Sequence, residues 1–360
     1  MRRDGWMANS LFAVLSRDWL GVPVAVLVTG AGGGLAGVGA AWAVALGGLV
    51  TAVGVLLGAG AVRHLVLVAR ERRENPPPGR LVDVGGRRMH VLAEGEAGSG
   101  PTVVWMSGGH APGGELRELH TMLAARTRSV LVDRFGSGWS DVGRFPRTTA
   151  GEAEELLAAL EGAGERGPFV LVGHSFGGLL VANVARRRPD LVAGLVLLDP
   201  TPLEVIAFAP LSRQLAGMRR GFLLMAVRQL FGAHRGPGGR AGQGCAAASI
   251  FAELSPSGLA AVGWETVVYD GDLGDLPLVL VIPRDLIGGE AVLAGARDQV
   301  EAERISRFYL RSRVRYLAAS TASRLVHTPE GTGHDFPHEA PGFVAGVVED
   351  LVRELRAVSP

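Results

Sequence analysis

From Trp19 to Val62 the chain carries no charged residue; Asp18 precedes the run and Arg63 ends it. This feature restricts the fold more than any other, because so long an uncharged stretch must lie in a protein core or in lipid. A helix crosses the hydrocarbon of a bilayer in about 20 residues, and the run is about twice that. As one straight helix it would be far longer than a bilayer is thick. Two spans joined by a tight turn fit better, near residues 19–38 and 43–62, with Gly37, Gly39 and Trp42 near the turn. The many glycines and alanines suit this arrangement, since small residues let helices approach closely in lipid. Arginines stand at both ends: Arg2, Arg3 and Arg17 before, and Arg63, Arg70, Arg72 and Arg73 after. Positive residues favour the cytoplasmic side, so a hairpin of two spans would leave both ends in the cytoplasm. The plain alternative is a buried helical hairpin of a soluble protein. A cleaved signal peptide fits less well, because the apolar stretch is too long and no clear cleavage site follows.

Part of the same run, Val26 to Gly34 ("VLVTGAGGG"), resembles the opening of a short-chain dehydrogenase. Such a turn brings the backbone close to a pyrophosphate at a helix N-terminus. It should be followed by an acidic residue about 20 positions on. No acid appears before Glu71, and the chain has no lysine for the Tyr-x-x-x-Lys site of that family. The nucleotide reading is set aside, and no cofactor or metal is expected.

Residues from about 80 to 360 suffice for one sizeable domain. A net charge of +1 argues against nucleic acid as a partner. The lone Cys245 can form no internal disulfide, in keeping with a reducing compartment. "ERRENPPPGR", residues 71–80, is charged and then proline-rich. Proline there favours an extended spacer. The expected organisation is an anchoring segment at 1–70, a linker at 71–80 and a catalytic domain at 81–360.

Within that domain, "LVDVGGRRMHVLAEG" (81–95) reads as a hairpin about Gly85-Gly86. "PTVVWM", "SVLV", "FVLVGH", "GLVLL", "LVLVI" and "SRLVH" read as short buried strands. Helical spacing follows at about 115–127, 149–163, 176–188 and 340–356. Continuous Val/Leu strands alternating with helices predict an α/β fold, a mostly parallel sheet covered on both faces. Residues 201–275 break the alternation and read as a largely helical cap. Its first half, 203–240, carries Arg213, Arg219, Arg220, Arg228, Arg235 and Arg240 but only Glu204 as an acid. A basic amphipathic segment of this kind could lie against an anionic leaflet.

Gly173-His174-Ser175-Phe176-Gly177 is G-x-S-x-G, directly after a Val/Leu strand and directly before a helix. That corner exposes the serine oxygen. A serine hydroxyl needs a base to take its proton. His334, in "EGTGHD" after the last strand, is the best placed histidine, with His338 next. The base needs a carboxylate to hold its tautomer. Asp285 ends "LVLVIPRD" and is favoured by strand position; Asp199, ending "LVLLDP", is the alternative. Backbone N–H donors for the oxyanion are expected from Phe176, after the nucleophile, and from Gly109, after the 101–106 strand.

"PPGRLVDVGGRRMHV", "DRFGSGWSD", "LVGHSFGGLL", "GLVLLDP" and "GTGHDFPHEAP" each resemble, in order, segments of the α/β-hydrolase superfamily, its serine esterase- and peptidase-like members. The resemblance runs from about residue 79 to the C-terminus. It implies a serine hydrolase with Ser175, His334 and Asp285 as its triad, acting on a small-molecule ester or acyl substrate. The haloalkane dehalogenases and epoxide hydrolases share the fold but resemble an Asp-nucleophile pattern, which Ser175 does not fit. The expectation is a membrane-anchored serine hydrolase facing the cytoplasm, with a lipid-like acyl group among the substrates considered. Acyl transfer on the same triad and a non-catalytic binding protein are the alternatives.

Overall fold

The computed structural model describes residues 14–98, 100–109, 111–145, 147–201, 204, 209–233, 271–284 and 296–358. The chain divides into two compact units: Met1–Pro76 with Val142–Pro146 and Met218–Ala252, and Pro77–Asp141 with Arg147–Gly217 and Glu253–Pro360.

The elements used below run in chain order as α1 (Gly21–Ala36), α2 (Ala41–Glu74), β1 (Arg80–Asp83), β2 (Arg88–Glu94), β3 (Thr102–Met106), α3 (Arg117–Ala124), β4 (Ser129–Val132), α4 (Thr149–Gly162), β5 (Phe169–His174), α5 (Phe176–Arg187), β6 (Val192–Leu198), α6 (Ala209–Leu230), β7 (Leu278–Ile282), α7 (Gln299–Val314), β8 (Ser323–His327) and α8 (Pro341–Val358).

The first unit is built on the α1–α2 hairpin. Residues 24–39 are almost wholly helical, so the strand that a nucleotide-binding turn would need is absent there. The helical segment Asp18–Ala36, which is α1 with the 3-10 turn before it, and α2 are long and apolar enough to cross a membrane by length and composition. The expected spans lie largely within them, and α2 runs on past Val62 through the arginines to Glu74. Residues 71–74 of the expected linker are therefore helix. The packing explains the glycines. A Cβ at Gly54 would lie 2.3 Å from Thr29 Oγ1 and 2.6 Å from Thr29 N; one at Gly47 would lie 2.5 Å from Ala36 N. The bulky residues point the other way, with Leu27 73% and Leu56 72% exposed. Small residues inside and large apolar residues outside reverse the arrangement of a water-soluble helix pair.

At the foot of the hairpin, Asp18 accepts from His64 Nε2 at 3.0 Å and lies 3.7 Å from Arg72. The end of α6 closes on the same place: Arg63 Nη1 donates to the Gly232 carbonyl at 3.0 Å. A Cβ at Gly21 or Gly60 would run into the Leu230 or Phe231 carbonyl. The helix α6 is the main described part of the expected cap. "GPGGRAGQG" and the rest up to Asp270 lie outside the described residues.

The second unit is an eight-stranded sheet in the order β1-β2-β4-β3-β5-β6-β7-β8. The β1–β2 hairpin joins it antiparallel through β2–β4, and β4 through β8 are parallel. Successive side chains on a strand face opposite ways, and each face is buried. Val104, Met106, Leu171, Leu195 and Leu280 pack with Leu156 and Leu160 of α4 and Leu180 of α5. Val103, Trp105, Val172, Val196 and Val281 pack with Leu119 and Leu123 of α3 and Val344 and Val348 of α8. This two-sided burial is why the strands read as unbroken Val/Leu runs. The C-terminal ends of the parallel strands form one edge, where an open α/β sheet places its ligands.

Candidate active site

Strand β5 is buried throughout, and α5 begins at the second residue after it. The single residue between them is Ser175, at φ 53° and ψ −119°. A non-glycine residue in that region costs about 1–3 kcal/mol, and persists only when its surroundings hold it. Here Ser175 N donates to the Leu198 carbonyl at 3.0 Å, and the Ser175 carbonyl accepts from Gly178 N and Thr201 N at 3.0 Å. The turn fits because Gly177 has no side chain: a Cβ there would lie 2.3 Å from the Met106 carbonyl oxygen. The second glycine of the G-x-S-x-G spacing is thus a requirement of close packing against β3.

Asp199 ends β6, the neighbour of β5, and also has a positive φ of 41°. It is fully buried. His334 donates from Nδ1 to Asp199 Oδ2 at 2.5 Å, across 135 residues of chain. The other carboxylate oxygen, Oδ1, lies 3.0 Å from Arg313 Nε. Arg313 is equally buried, donates to the Pro200 carbonyl at 3.1 Å and stacks over Tyr309 at 4.8 Å. Burial alone would raise the Asp199 carboxyl, but Arg313 and then His334 outweigh it and hold it below its ordinary value. The base is held from behind as well. His174 Nε2 donates to the His334 carbonyl at 2.9 Å, and the two rings lie 4.7 Å apart. Burial, followed by the charge of His334, pushes His174 down to about 4. His174 is therefore neutral near neutral pH.

Of the residues expected from sequence, the structure brings together His334 and the alternative acid, Asp199. Asp285 lies outside the described residues. Gly108 and Gly109 lie over the elbow: a Cβ at Gly108 would begin 3.5 Å from Ser175 Cβ, and one at Gly109 3.4 Å from Phe176 Cβ. Four other described histidines have other partners. His64 bonds Asp18, His90 bonds Asp133 at 2.9 Å, and His120 bonds Glu94 at 3.1 Å. His338 lies 3.9 Å from Glu115. Among the described residues no three His, Cys, Asp or Glu side chains gather as a metal site. Sequence reasoning missed Arg313 altogether. It sits in an arginine-rich helix where nothing local separates it from Arg307, Arg311 or Arg315.

The family model described as "Alpha/beta hydrolase family" matches residues 103–347. The chain is 34% identical over 125 residues to 2-(acetamidomethylene)succinate hydrolase of Mesorhizobium japonicum, covering 34% of this chain and 43% of the relative. It is 37% identical over 114 residues to pimeloyl-[acyl-carrier protein] methyl ester esterase of Chromobacterium violaceum, covering 32% and 42%. Less than half the length of either relative is spanned. The crystal structure of a probable hydrolytic enzyme of Pseudomonas aeruginosa PAO1 superposes with a TM-score of 0.56 at 21% identity, over 76% of this chain and 93% of that one. That likeness is one of fold.

Proposed function

The chain belongs to the alpha/beta hydrolase family, and from that premise we propose that it is a membrane-anchored serine hydrolase cleaving an ester or related acyl bond. The observation that carries the reading is the hydrogen bond from His334 Nδ1 to the buried Asp199 carboxylate, beside a strained serine at the end of the adjacent strand. We assign Ser175 as nucleophile, His334 as base and Asp199 as the acid that orients it. With Nδ1–H committed to Asp199, the His334 Nε2 lone pair takes the Ser175 proton as Oγ attacks the acyl carbon. The oxyanion that forms accepts hydrogen bonds from the Phe176 and Gly109 N–H groups. His334 then returns the proton to the departing alcohol, and water repeats the sequence on the acyl-enzyme. The names of the hydrolase and methyl ester esterase relatives support an ester or related acyl substrate; neither identifies it.

The anchor is inferred from the hairpin. Its apolar exterior, glycine-lined interior and flanking arginines suit two spans. Trp19, just before α1, and Trp42, in the first turn of α2, stand exposed, as residues of a bilayer's aromatic belts do. The flanking arginines favour the cytoplasm for both ends of the hairpin, which supports a cytoplasmic catalytic unit. Basic α6 would then lie near the leaflet, which favours an apolar, lipid-like acyl group.

The test is Ser175→Ala in the full chain, assayed on short acyl esters. The expected loss is roughly 10³-fold or more in kcat with the fold retained. Near wild-type turnover would overturn the mechanism.

A further inference from the structure

We infer that Arg134 is a positioning residue for the oxyanion hole, one guanidinium holding the Gly108 and Gly109 carbonyls and the Phe176 ring at once. The inference rests on the serine-hydrolase reading above, in which Gly109 and Phe176 supply the N–H donors.

Arg134 lies just past β4, in the "DRFGSGWSD" stretch to which the triad assigns no role, and it is buried. Its Nη2 donates to the Gly108 carbonyl at 3.0 Å and to the Gly109 carbonyl at 2.7 Å. The guanidinium carbon sits 4.9 Å from the centre of the Phe176 ring. Nη1 donates to Glu152 Oε2 at 2.8 Å. Glu152 is also buried, projects from α4 and lies 3.6 Å from Arg147. The guanidinium is thus tied to a helix on one side and grips both halves of the proposed hole on the other.

A peptide unit is planar, with its C=O and N–H pointing in opposite directions. Holding the Gly108 carbonyl toward Arg134 therefore turns the Gly109 N–H away from it. Gly108 and Gly109 have no side chains to hold this orientation, and glycine peptides turn over at little steric expense. Among the described residues, the loop is also held by Ala111 N to the Gly108 carbonyl at 3.3 Å and by Ser107 Oγ to the Ala111 carbonyl at 2.8 Å. A neutral donor would satisfy one carbonyl. The planar fork of arginine serves two carbonyls, a carboxylate and a ring face together, and lysine cannot copy that geometry. The pairing with Glu152 also neutralises the cation locally, so it aims the donors without adding a net charge that would bind any anion.

The test is Arg134→Lys in the full chain, which keeps a cation opposite Glu152 but loses the fork. Two quantities are measured: kinetics on a short acyl p-nitrophenyl ester, and inhibition by an aryl boronic acid, which becomes a tetrahedral anion on the serine. The expected result is a fall in kcat of roughly 10- to 100-fold, with KM within about threefold, since the donors matter to the tetrahedral anion and little to the bound ester. Boronic acid affinity should fall in step. A wild-type kcat, a loss carried in KM, or unchanged boronic acid affinity would overturn the inference. If Arg134→Lys does not fold, Glu152→Gln releases the far end of the guanidinium and should show the same kcat-selective loss in smaller measure; its absence overturns the inference equally. Failure of the serine-hydrolase reading looks different, because the wild type itself would then neither turn over the ester nor bind the boronic acid.

Discussion

A carboxylate buried without a countercharge is unstable, and Asp199 has a hydrogen-bond donor on one oxygen and a countercharge on the other. Oδ2 takes the His334 proton donor and Oδ1 faces Arg313. Arg313 keeps the acid ionised where burial would neutralise it, so the acid can hold the histidine tautomer. Replacing Asp199 by Asn should therefore lower kcat by about 10³- to 10⁴-fold, while Asp285→Asn should leave it within about threefold. Parallel kinetics on the two variants, with circular dichroism to verify folding, checks this; the reverse ranking would show that the acid sits on the later strand. The proposed nucleophile and base could be picked out in the sequence because each is marked by its neighbours, the serine by glycines and the histidine by its place after the last strand. The proposed acid could not. "LVLLDP" and "LVLVIPRD" are alike as local sequence, and Asp199 is marked out by partners 135 and 114 residues away, His334 and Arg313.

At the scale of elements, the alternation of Val/Leu runs with helical spacing was enough to give β3 to β8, and the turn signal at Gly85-Gly86 gave β1 and β2. In the hairpin, too, the presence of two helices follows from the length of the uncharged run. Which glycines face the partner does not, because the run is apolar and small on all sides. The structure separates them: a Cβ at Gly54 meets backbone atoms of Thr29, whereas one at Gly48 meets nothing within 4 Å. Gly54→Leu should push α1 and α2 apart and destabilise the hairpin by about 1–3 kcal/mol, the usual effect of overpacking. Gly48→Leu, on the outer surface, should be close to neutral. Thermal unfolding of the full chain in detergent compares them, and equal effects would contradict the packing. The full chain is required because the end of α6 rests on Gly21, Gly60 and Arg63, so removing the hairpin would uncover part of the cap.

For the molecule as a whole, the order of the sheet does what no single segment announces. It sets β5 beside β6 and β6 beside β7, and the turns after these parallel strands share one edge. Ser175 and Asp199 thus emerge from neighbouring strands, and the long return through β8 brings His334 back to Asp199. Long-range pairings of this kind have no local signature, which is why the family resemblance carried the fold further than periodicity could. The central claim is that Ser175 is an activated nucleophile. Incubation of the full chain, extracted in mild detergent, with an alkyl fluorophosphonate followed by peptide mass mapping tests it most directly. The account predicts one adduct, on Ser175, and its loss in His334→Ala. An adduct on another residue, or none while ester turnover persists, would contradict it.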